Sequence, residues 1–489
     1  MSIDNQKLKK SGLKAGAWNF STTIINQLRN FIVSLVLARL LNPSDFALVG
    51  MATVFVGIVE AFVDFGFGSS IVQRKSISQG QLSTVFYINL MMGGIFALTM
   101  FLGAPFIAEF FNEPRLIPIT KVLSLTFIIK ALDVIPGAIF KRNLDYKTPF
   151  QISITSGIVS GIAGISFALV GMGVWALVWS QVLGWLISIS LIWIKSDWRP
   201  SLYYNFKCVR ELWKFGYKLS LSVFIDLLFN RLNTIFIGKF FSATLLGLYY
   251  RACSLNGLVI QYSFSAFSGV LFPTLSKCQD DLPLLRYNVL KIVHTVSFLT
   301  FFFSGWMIVG AYEIMTITYG EKWVGAVDFF KILGLFSITL TIPPILVNAL
   351  MCVGKTDVNL RIEIIKKTMF AIAIPIGLHF GIYGYVYATS LAALISMPLN
   401  MWALKYIELS LKPQIKAIGF YLIPFGILIS VNTIFFPQVL FGNKFISLIV
   451  KSAYYALGYL AYNATFKSEG LTSTINIIRP LLKKFQLKI

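Results

Sequence analysis

Polar and charged side chains stand inside stretches of this sequence that are otherwise apolar. Two such stretches carry a similar pattern: Asn26, Arg29 and Asn30 in the first, and Asp226, Asn230 and Arg231 in the second. Residues three, four or seven positions apart lie on or beside one face of a helix. Guanidinium and amide groups donate hydrogen bonds to phosphate and hydroxyl oxygens. The pattern therefore predicts a polar, cationic cavity that accepts a large anionic cargo.

Further polar residues within apolar stretches extend this candidate set. The additional candidates for the cavity lining are Lys130, Arg251 and Gln261. Lys121 and Lys331 begin the similar segments KVLSL and KILGL in the two halves of the chain, and we predict that they mark the outer mouth of the cavity. A charge near the bilayer centre costs about 2.5–3.5 kcal/mol on insertion scales, so each of these groups requires a physical reason.

Two carboxylates, Glu60 and Asp64, lie four positions apart and would share one face of a helix. They offer a structural alternative for Arg29, which could pair with either of them and hold neighbouring helices together. A helix bundle needs far fewer ions than this chain carries in order to fix its register. The collection as a whole therefore favours a hydrated cavity, while the structural alternative stays open for each residue.

The composition predicts a protein that spans a membrane many times. Hydrophobic residues make up 56% of the 489 positions and charged residues only 13%, whereas soluble domains average about 45–50% apolar and 25% charged residues. Turn residues and charges divide the chain into about fourteen spans of roughly 20 apolar residues. Continuous apolar spans of this length must be helices, because lipid offers the backbone no hydrogen-bond partners. We predict an all-α polytopic membrane protein.

The net charge of +22 arises mainly from Lys and Arg in alternate connections between the spans. This bias predicts that those connections and both termini are cytoplasmic, and that the basic tail from 472 to 489 is an interfacial helix. The four cysteines form no C-x-x-C motif and the two histidines are far apart, so we expect no disulfide, metal or cofactor. Short connections leave little room for an enzyme active site, which favours a transporter.

The chain contains an internal duplication at an offset of about 200 residues. Ala38-Arg39 corresponds to Gly238-Lys239, and the hairpin at Asn42–Asp45 corresponds to the hairpin at Ser242–Thr244. Six helices per copy bring both copies into the membrane from the same side, which is one arrangement that transporters use. The predicted organisation is an N-lobe of helices 1–6 (1–211), a C-lobe of helices 7–12 (212–409), and helices 13–14 with the basic tail (410–489). The two lobes are predicted to surround the central cavity.

Several motifs resemble those of a known family. They are FSTTIINQLRNFIVSLVLARLLNPSDFALVGMA, DFGFGSSIVQRKSISQGQLSTVFYIN, VLFPTLSKCQDDLPLLR and YGEKW. These segments resemble the Wzx-type polysaccharide and O-antigen flippases, and within them the colanic-acid-type branch, in the multidrug/oligosaccharidyl-lipid/polysaccharide exporter superfamily. The sequence departs from the family pattern at Ala47, where glycine is usual, and the second repeat retains Gly247.

The resemblance implies a function in surface-polysaccharide biosynthesis, for O-antigen, capsule or exopolysaccharide. Such proteins move undecaprenyl-pyrophosphate-linked oligosaccharide repeat units across the bacterial inner membrane by alternating access, before polymerisation. The implied partners are this lipid-linked oligosaccharide, membrane lipid, a polysaccharide polymerase and a chain-length regulator. No nucleic acid is expected, and the chain contains no ATPase, so an ion gradient or the gradient of the cargo itself supplies the energy.

The resemblance also suggests roles for the candidate residues. Pyrophosphate binding is expected from Arg29, Arg231 and Arg251, and contacts to sugar hydroxyls are expected from Asn26, Asn30, Asn230 and Gln261. By hypothesis, the groups that respond to protons or sodium are Glu60, Asp64 and Asp226. Two alternatives remain: a multidrug or organic-cation antiporter of the same superfamily, and a non-transporting subunit of a polysaccharide assembly complex. The basic groups in the spans disfavour the antiporter, because cationic drugs require carboxylates.

Overall fold

The computed structural model describes a helical chain. The described residues are 2–63, 67–74, 76–202, 224, 227–229, 231–436 and 442–486. Within these ranges the regular structure is helical and contains no strand, so the predicted fold class is confirmed. The chain forms two compact units, the N-terminal unit Met1–Gly247 and the C-terminal unit Leu248–Ile489. The lobe boundaries predicted at residues 211 and 409 stay predictions.

The helices of the N-terminal unit are long and apolar. In chain order they are α1 (Ser2–Leu40), α2 (Pro43–Val63), α3 (Phe67–Gln73), α4 (Gln79–Phe111), α5 (Leu116–Leu123), α6 (Leu125–Arg142), α7 (Lys147–Leu169), α8 (Val174–Lys195) and α9 (231–240). Local sequence fixes their ends. For example, α4 begins at a capping box formed by Ser78 and Gln81, and it ends where Asn112 adopts a left-handed conformation at φ 54°.

The C-terminal unit contains most of α10, which begins in the N-terminal unit, and the helices that follow it. They are α10 (Ala243–Ser276), α11 (Leu282–Val309), α12 (Ala311–Tyr319), α13 (Val327–Leu335), α14 (Ile338–Thr341), α15 (Pro343–Cys352), α16 (Thr356–His379), α17 (Gly381–Ala403), α18 (Leu411–Phe435), α19 (Lys444–Thr465) and α20 (Glu469–Gln486). Two short 3-10 helices, Glu321–Ala326 and Leu404–Ile407, precede α13 and follow α17. The predicted helical tail corresponds to α20.

Among the described residues, eight helices are long and apolar enough to cross a membrane. The count becomes nine if the bent pair Glu321–Leu335 and Ile338–Cys352, which meet at 55°, forms one span. The prediction of a multi-pass membrane protein is therefore supported, and the number of fourteen spans stays a prediction. Large apolar side chains on α4 point away from the protein, with Leu102 63% and Phe106 74% exposed. Such faces are suited to contact with lipid.

The core of the C-terminal unit is centred on α11. Its buried side chains, including Val289, Val293 and Val296, pack in one cluster with residues of α15, α18 and α19. Two tyrosines of α19 also donate hydrogen bonds to backbone oxygens of α11, from Tyr455 to Phe301 at 2.7 Å and from Tyr459 to Phe298 at 3.1 Å. The last two spans of the chain are thus attached to the C-terminal unit by polar as well as apolar contacts.

The glycine that the second repeat retains has a packing reason. A Cβ atom at Gly247 would overlap the backbone carbonyl of Pro43, the first residue of α2. Backbone cannot move aside as a flexible side chain can, so only glycine allows this approach. At the corresponding position of the first repeat, the small side chain of Ala47 is fully buried. The departure from the family pattern at Ala47 is therefore accommodated.

Candidate functional site

The polar stripe of α1 faces α7 within the N-terminal unit. The Asn26 side-chain amide donates to the Ser153 hydroxyl at 2.8 Å. Arg29 Nη1 donates to the Ser153 backbone oxygen at 2.6 Å, and Arg29 Nη2 donates to Asn30 Oδ1 at 2.9 Å. The predicted site residues Asn26, Arg29 and Asn30 are thus brought together, with Arg29 partly buried and Asn30 exposed.

Small residues on α7 make room for the Arg29 guanidinium. A Cβ atom at Gly157 would overlap Arg29 Nη1, and one at Gly161 would lie 2.8 Å from Val33 Cγ2. The sequence SITSGIVSG of α7 therefore presents a flat surface along which α1 can pack closely. The planar guanidinium therefore lies against the backbone of α7, where Nη1 donates to the Ser153 oxygen, while Nη2 donates to Asn30 of its own helix.

Arg231 lies on α9 and approaches α2, another helix of the N-terminal unit. Its Nη2 atom lies 3.7 Å from the position that a Cβ atom at Gly57 of α2 would occupy. Across the described part of the chain, no carboxylate lies within 4.0 Å of the Arg29 or Arg231 guanidinium. The contacts described for both arginines are therefore with backbone, amide or small residues.

Five of the predicted site residues lie outside the described parts of the chain. The structure does not describe Asp64, Asp226 or Asn230, and it does not describe the side chains of Glu60 and Gln261. Their assignment to ion coupling or to the cavity lining stays a prediction. The structural alternative, in which Arg29 pairs with Glu60 or Asp64, also stays open.

Lys121 and Lys130, the two lysines predicted for the site in the N-terminal unit, both contact other groups of the protein. The Lys121 ammonium lies over the Phe101 ring, 5.0 Å from its centroid. Lys130 and Asp133 lie one turn apart on α6, and each interacts with another group of the protein. The Asp133 carboxylate lies close to Gly137, where a Cβ atom would come within 3.2 Å of Oδ1.

Arg251 of the C-terminal unit is enclosed by aromatic side chains. Its guanidinium carbon lies 5.3 Å from the Tyr319 ring centroid and 5.5 Å from the Trp323 ring centroid. Arg251 is only 6% exposed, and the two rings are 1% and 0% exposed. Both rings belong to the YGEKW motif, so this motif covers a cation that α10 carries inside an apolar span.

Lys331 lines a cavity of about 650 Å³ within the C-terminal unit. The cavity lies at the end of the bundle where α11 and α18 end and where α17 and α19 begin. Its polar lining consists of Tyr312, Glu313, Asp328, Lys331, Tyr383, Tyr387, Asn432, Thr433 and Lys451. The volume falls within the range of about 300–1,000 Å³ that is usual for small-molecule sites.

A buried ion pair borders this cavity. Lys451 Nζ of α19 lies 2.6 Å from Glu313 Oε1 of α12, and the Ser447 hydroxyl donates to the same oxygen. Glu313 is fully buried and Lys451 is 3% exposed. The sequence pattern does not indicate this pair, because its members are 138 positions apart. The available signal was Lys451 itself, a lysine two turns inside an apolar helix.

A second cavity, of about 670 Å³, lies in the N-terminal unit and is lined in part by Arg142, Lys195, Trp198 and Arg199. Its arginines donate mainly to the backbone. Arg142 Nη1 donates to the Ile71 oxygen at 2.9 Å, and the Arg199 guanidinium donates to three backbone oxygens between Trp193 and Trp198. These contacts hold Arg142 against α3 and fold the loop after α8 back onto the end of that helix.

Solved structures identify the class of fold. The chain superimposes on the lipid II flippase MurJ in its inward closed conformation with a TM-score of 0.72, at 16% identity, over 92% of this chain and 98% of that chain. An inward-facing multidrug resistance transporter of the MATE family, from the MOP superfamily, gives a TM-score of 0.59 at 15% identity over 78% and 94%. The chain therefore shares its helical fold with these two solved structures.

Sequence comparison then identifies the family. The model of the polysaccharide biosynthesis protein family matches residues 36–328, and the chain belongs to that family. Relatives include the lipopolysaccharide biosynthesis protein WzxC of Escherichia coli (strain K12), 25% identical over 76% of each chain. The teichuronic acid biosynthesis protein TuaB of Bacillus subtilis (strain 168) is 24% identical over 75% of this chain and 76% of its own. The resemblance inferred from the motifs is confirmed.

Proposed function

We propose that this protein is a flippase, which moves an undecaprenyl-pyrophosphate-linked oligosaccharide across the inner membrane for surface-polysaccharide biosynthesis. The observation that carries the proposal is a combination of family and fold: a polysaccharide biosynthesis protein has the fold of a lipid II flippase over 92% of its length. A further relative, the succinoglycan biosynthesis transport protein ExoT of Rhizobium meliloti (strain 1021), is 23% identical over 63% of this chain and 62% of its own. The name of that relative describes a transport protein in the biosynthesis of a polysaccharide, succinoglycan.

The physical problem for this cargo is its polar head. A pyrophosphate and several sugars cannot cross about 30 Å of hydrocarbon unaided, because each buried polar group without a partner costs free energy. The Arg29 guanidinium provides hydrogen-bond donors for such polar groups inside an apolar helix. Two of the five N–H donors of its guanidinium bind Ser153 and Asn30 among the described residues, which leaves donors that suit phosphate oxygens.

In the proposal, Arg29 and Arg231 bind the pyrophosphate, and Asn26 and Asn30 contact sugar hydroxyls. Asn230 and Gln261 are proposed for the same sugar contacts. Arg251 is assigned a supporting role, because Tyr319 and Trp323 enclose its guanidinium. The site is proposed to lie between an N-lobe (1–211) and a C-lobe (212–409) that alternate in access.

Ion coupling is proposed for Glu60, Asp64 and Asp226. A unit charge that moves through 100 mV releases about 2.3 kcal/mol, which is enough to bias a conformational equilibrium. The test is Glu60→Gln combined with Asp64→Asn. Export should lose its dependence on the proton or sodium gradient in the variant, whereas equal dependence in variant and wild type would remove these residues from the proposal.

Both termini are proposed to lie in the cytoplasm, and the direction of transport implied by the family resemblance releases the cargo at the outer face of the inner membrane. There a polymerase and a chain-length regulator would receive it.

Deletion of the gene tests the function. Surface polysaccharide should disappear, and the lipid-linked repeat unit should accumulate in the inner leaflet. Intact polysaccharide would overturn the proposal, and intact polysaccharide with raised sensitivity to cationic drugs would favour the antiporter.

Substitution of Arg29 tests the proposed site directly. Arg29→Gln removes the charge while it keeps a hydrogen-bonding side chain, and export should fall at least about tenfold, the loss expected for one charge-assisted contact. Arg39→Gln is the matched control, because Arg39 is exposed in the last turn of the same helix. Export that falls equally in both variants would show a general effect of charge rather than a binding role for Arg29.

A further inference from the structure

The cavity of the C-terminal unit combines groups that suit a neutral ligand with many hydroxyl groups. Its charged residues are two carboxylates, Glu313 and Asp328, and two lysines, Lys331 and Lys451, so their formal charges cancel. Glu313 and Lys451 are paired at 2.6 Å. Asp328 and Lys331 lie three positions apart on α13, which places them on one helix face. An anionic headgroup would therefore meet as much repulsion as attraction here.

Aromatic rings form one side of the cavity. Tyr383 and Tyr387 lie one turn apart on α17 and are 42% and 43% exposed, and Tyr312 of α12 also lines the cavity. The Tyr383 ring stacks on Phe329, with the centroids 5.0 Å apart and the planes inclined by 21°. That contact fixes the orientation of the ring. The electron-rich face of an aromatic ring attracts the C–H groups on the apolar face of a sugar.

Hydrogen-bond acceptors of the lining lack donors. Glu313 Oε2 and Asn432 Oδ1 are buried and accept no hydrogen bond from any group that the structure describes. Both residues line the cavity. A buried acceptor without a donor is costly, and native structures usually satisfy it with water or a ligand. Sugar hydroxyls are donors, whereas a phosphate oxygen could not satisfy these atoms.

We propose that this cavity is a saccharide-binding subsite, which holds sugar rings of the cargo against Tyr383 and Tyr387. The identification of the saccharide as cargo rests on the proposed function. In the proposed orientation the subsite lies at the outer end of the bundle, where the sugars arrive. It gives α18 and α19 a role in binding, because Asn432 and Lys451 belong to these two helices outside the six-helix repeats.

The experiment measures binding of a defined oligosaccharide to the full-length protein in detergent. The probe is the repeat-unit oligosaccharide obtained by hydrolysis of the host's purified surface polysaccharide, and calorimetry gives its Kd. Replacement of both rings, by Tyr383→Ala with Tyr387→Ala, should raise the Kd about tenfold, as expected for two lost ring contacts. Tyr387→Phe keeps the ring and should stay within about threefold of wild type.

Two controls distinguish a saccharide subsite from an anion site and from a general effect of losing a tyrosine. Tyr287→Ala removes a tyrosine that is 59% exposed on α11 and does not line the cavity, and its Kd should equal that of wild type. Inorganic pyrophosphate should not displace the oligosaccharide. The inference is overturned if wild type does not bind the probe, if the double variant binds as wild type does, or if pyrophosphate competes.

The calorimetric test of the saccharide subsite and the gene-deletion test of the proposed function can fail independently. If gene deletion abolishes surface polysaccharide while the double variant binds the oligosaccharide and exports normally, the subsite is wrong and the flippase stands. If deletion leaves the polysaccharide intact, the flippase proposal fails, and the calorimetry alone decides whether the cavity binds sugar.

Discussion

The two units hold cationic side chains within apolar helices in different ways. In the N-terminal unit, the Arg29 guanidinium rests on the small residues of α7 and donates to a backbone oxygen and a neighbouring amide. In the C-terminal unit, Arg251 is covered by two aromatic rings and Lys451 is paired with Glu313. Arg251 and Lys451 are 6% and 3% exposed, whereas Arg29 remains partly exposed.

Residue type alone therefore does not assign a role to a charge in a membrane helix. The cost of burial can be offset by the chain itself, as it is for Lys451, whose ammonium is neutralised by Glu313 and needs no counter-charge from a cargo. It can also be offset by backbone and amide acceptors, which are the partners of Arg29 among the residues that the structure describes. The proposed function assigns pyrophosphate binding to the second arrangement, in which no described carboxylate already neutralises the charge.

Glu313→Gln should give the largest loss of stability. The substitution leaves the buried Lys451 ammonium without its counter-charge, so the free energy of unfolding should fall by about 3–5 kcal/mol. Thermal unfolding in detergent measures the loss. Joint replacement by Glu313→Leu and Lys451→Met should recover most of it, because no buried charge remains.

An ion pair whose arginine is exposed and whose carboxylate is 18% exposed supplies the contrast for Glu313. Arg115 Nε lies 2.8 Å from Glu113 Oε1, and the Arg115 side chain is 56% exposed. Glu113→Gln should therefore cost less than about 1 kcal/mol. Equal losses for Glu113→Gln and Glu313→Gln would mean that the buried pair is not the distinguishing feature of the C-terminal unit.

Arg251→Met should give the next largest loss. It removes the cation that lies over Tyr319 and Trp323, and a desolvated contact of this kind is worth about 2 kcal/mol. Arg361→Met, at an exposed position of α16, is the control and should leave the unfolding temperature unchanged. If Arg251→Met unfolds like wild type but abolishes export, Arg251 is a binding residue like Arg29, and the contrast between the units fails.

Asp145→Ala should give a smaller and pH-dependent loss, because Asp145 holds the start of α7. Burial raises the pKa of this carboxyl, but hydrogen bonds from the Thr148 and Lys147 backbone amides, at 3.0 and 3.1 Å, outweigh it and lower the pKa overall. The lost contacts should cost about 1 kcal/mol at neutral pH.

The sign of this pH dependence follows from the lowered pKa. A carboxyl with a lower pKa in the folded state stabilises the protein fully above the unfolded-state pKa of about 3.9. That contribution is lost as the pH falls below this value through the folded-state pKa. Wild type and Asp145→Ala should therefore differ at pH 7 and converge in acid. A constant difference across this range would show that the ionised carboxylate is not responsible.

The sequence predicted the features of this protein that depend on local pattern. Apolar spans of about 20 residues predict membrane helices, and the spacing of Asn26, Arg29 and Asn30 predicts a shared face, which the structure shows on α1. The motifs also indicate the family. These inferences succeed because helical periodicity and motif order are properties of short segments.

The sequence could not reveal how distant segments neutralise a charge. Arg251 meets its rings 68 and 72 positions later, in the YGEKW motif where α12 ends and a 3-10 helix begins. Glu313 and Lys451 were not paired because nothing in a single sequence links α12 to α19. The second polar stretch illustrates the same limit. Its pattern places Arg231 of α9 beside Asn230 but does not indicate Gly57 of α2 as a neighbour of Arg231.

Gly157→Ala should change stability least and yet affect export strongly. The new Cβ atom would overlap Arg29 Nη1, and the guanidinium can swing away because it is the far end of a flexible side chain. Alanine favours a helix over glycine by up to about 1 kcal/mol, which offsets the lost contact, so the unfolding temperature should stay near that of wild type. Export should fall to the level of Arg29→Gln, because the donors are no longer aligned.

The control for this substitution is Gly94→Ala on α4, where a Cβ atom meets nothing within 4 Å. It should keep full export. Gly157→Ala should also add no further loss to Arg29→Gln, since both changes act on the same side chain. Normal export in Gly157→Ala would show that the position of the Arg29 guanidinium on α7 is irrelevant to transport, and Arg29 would then belong with Arg251 and Lys451, whose charges the protein itself compensates.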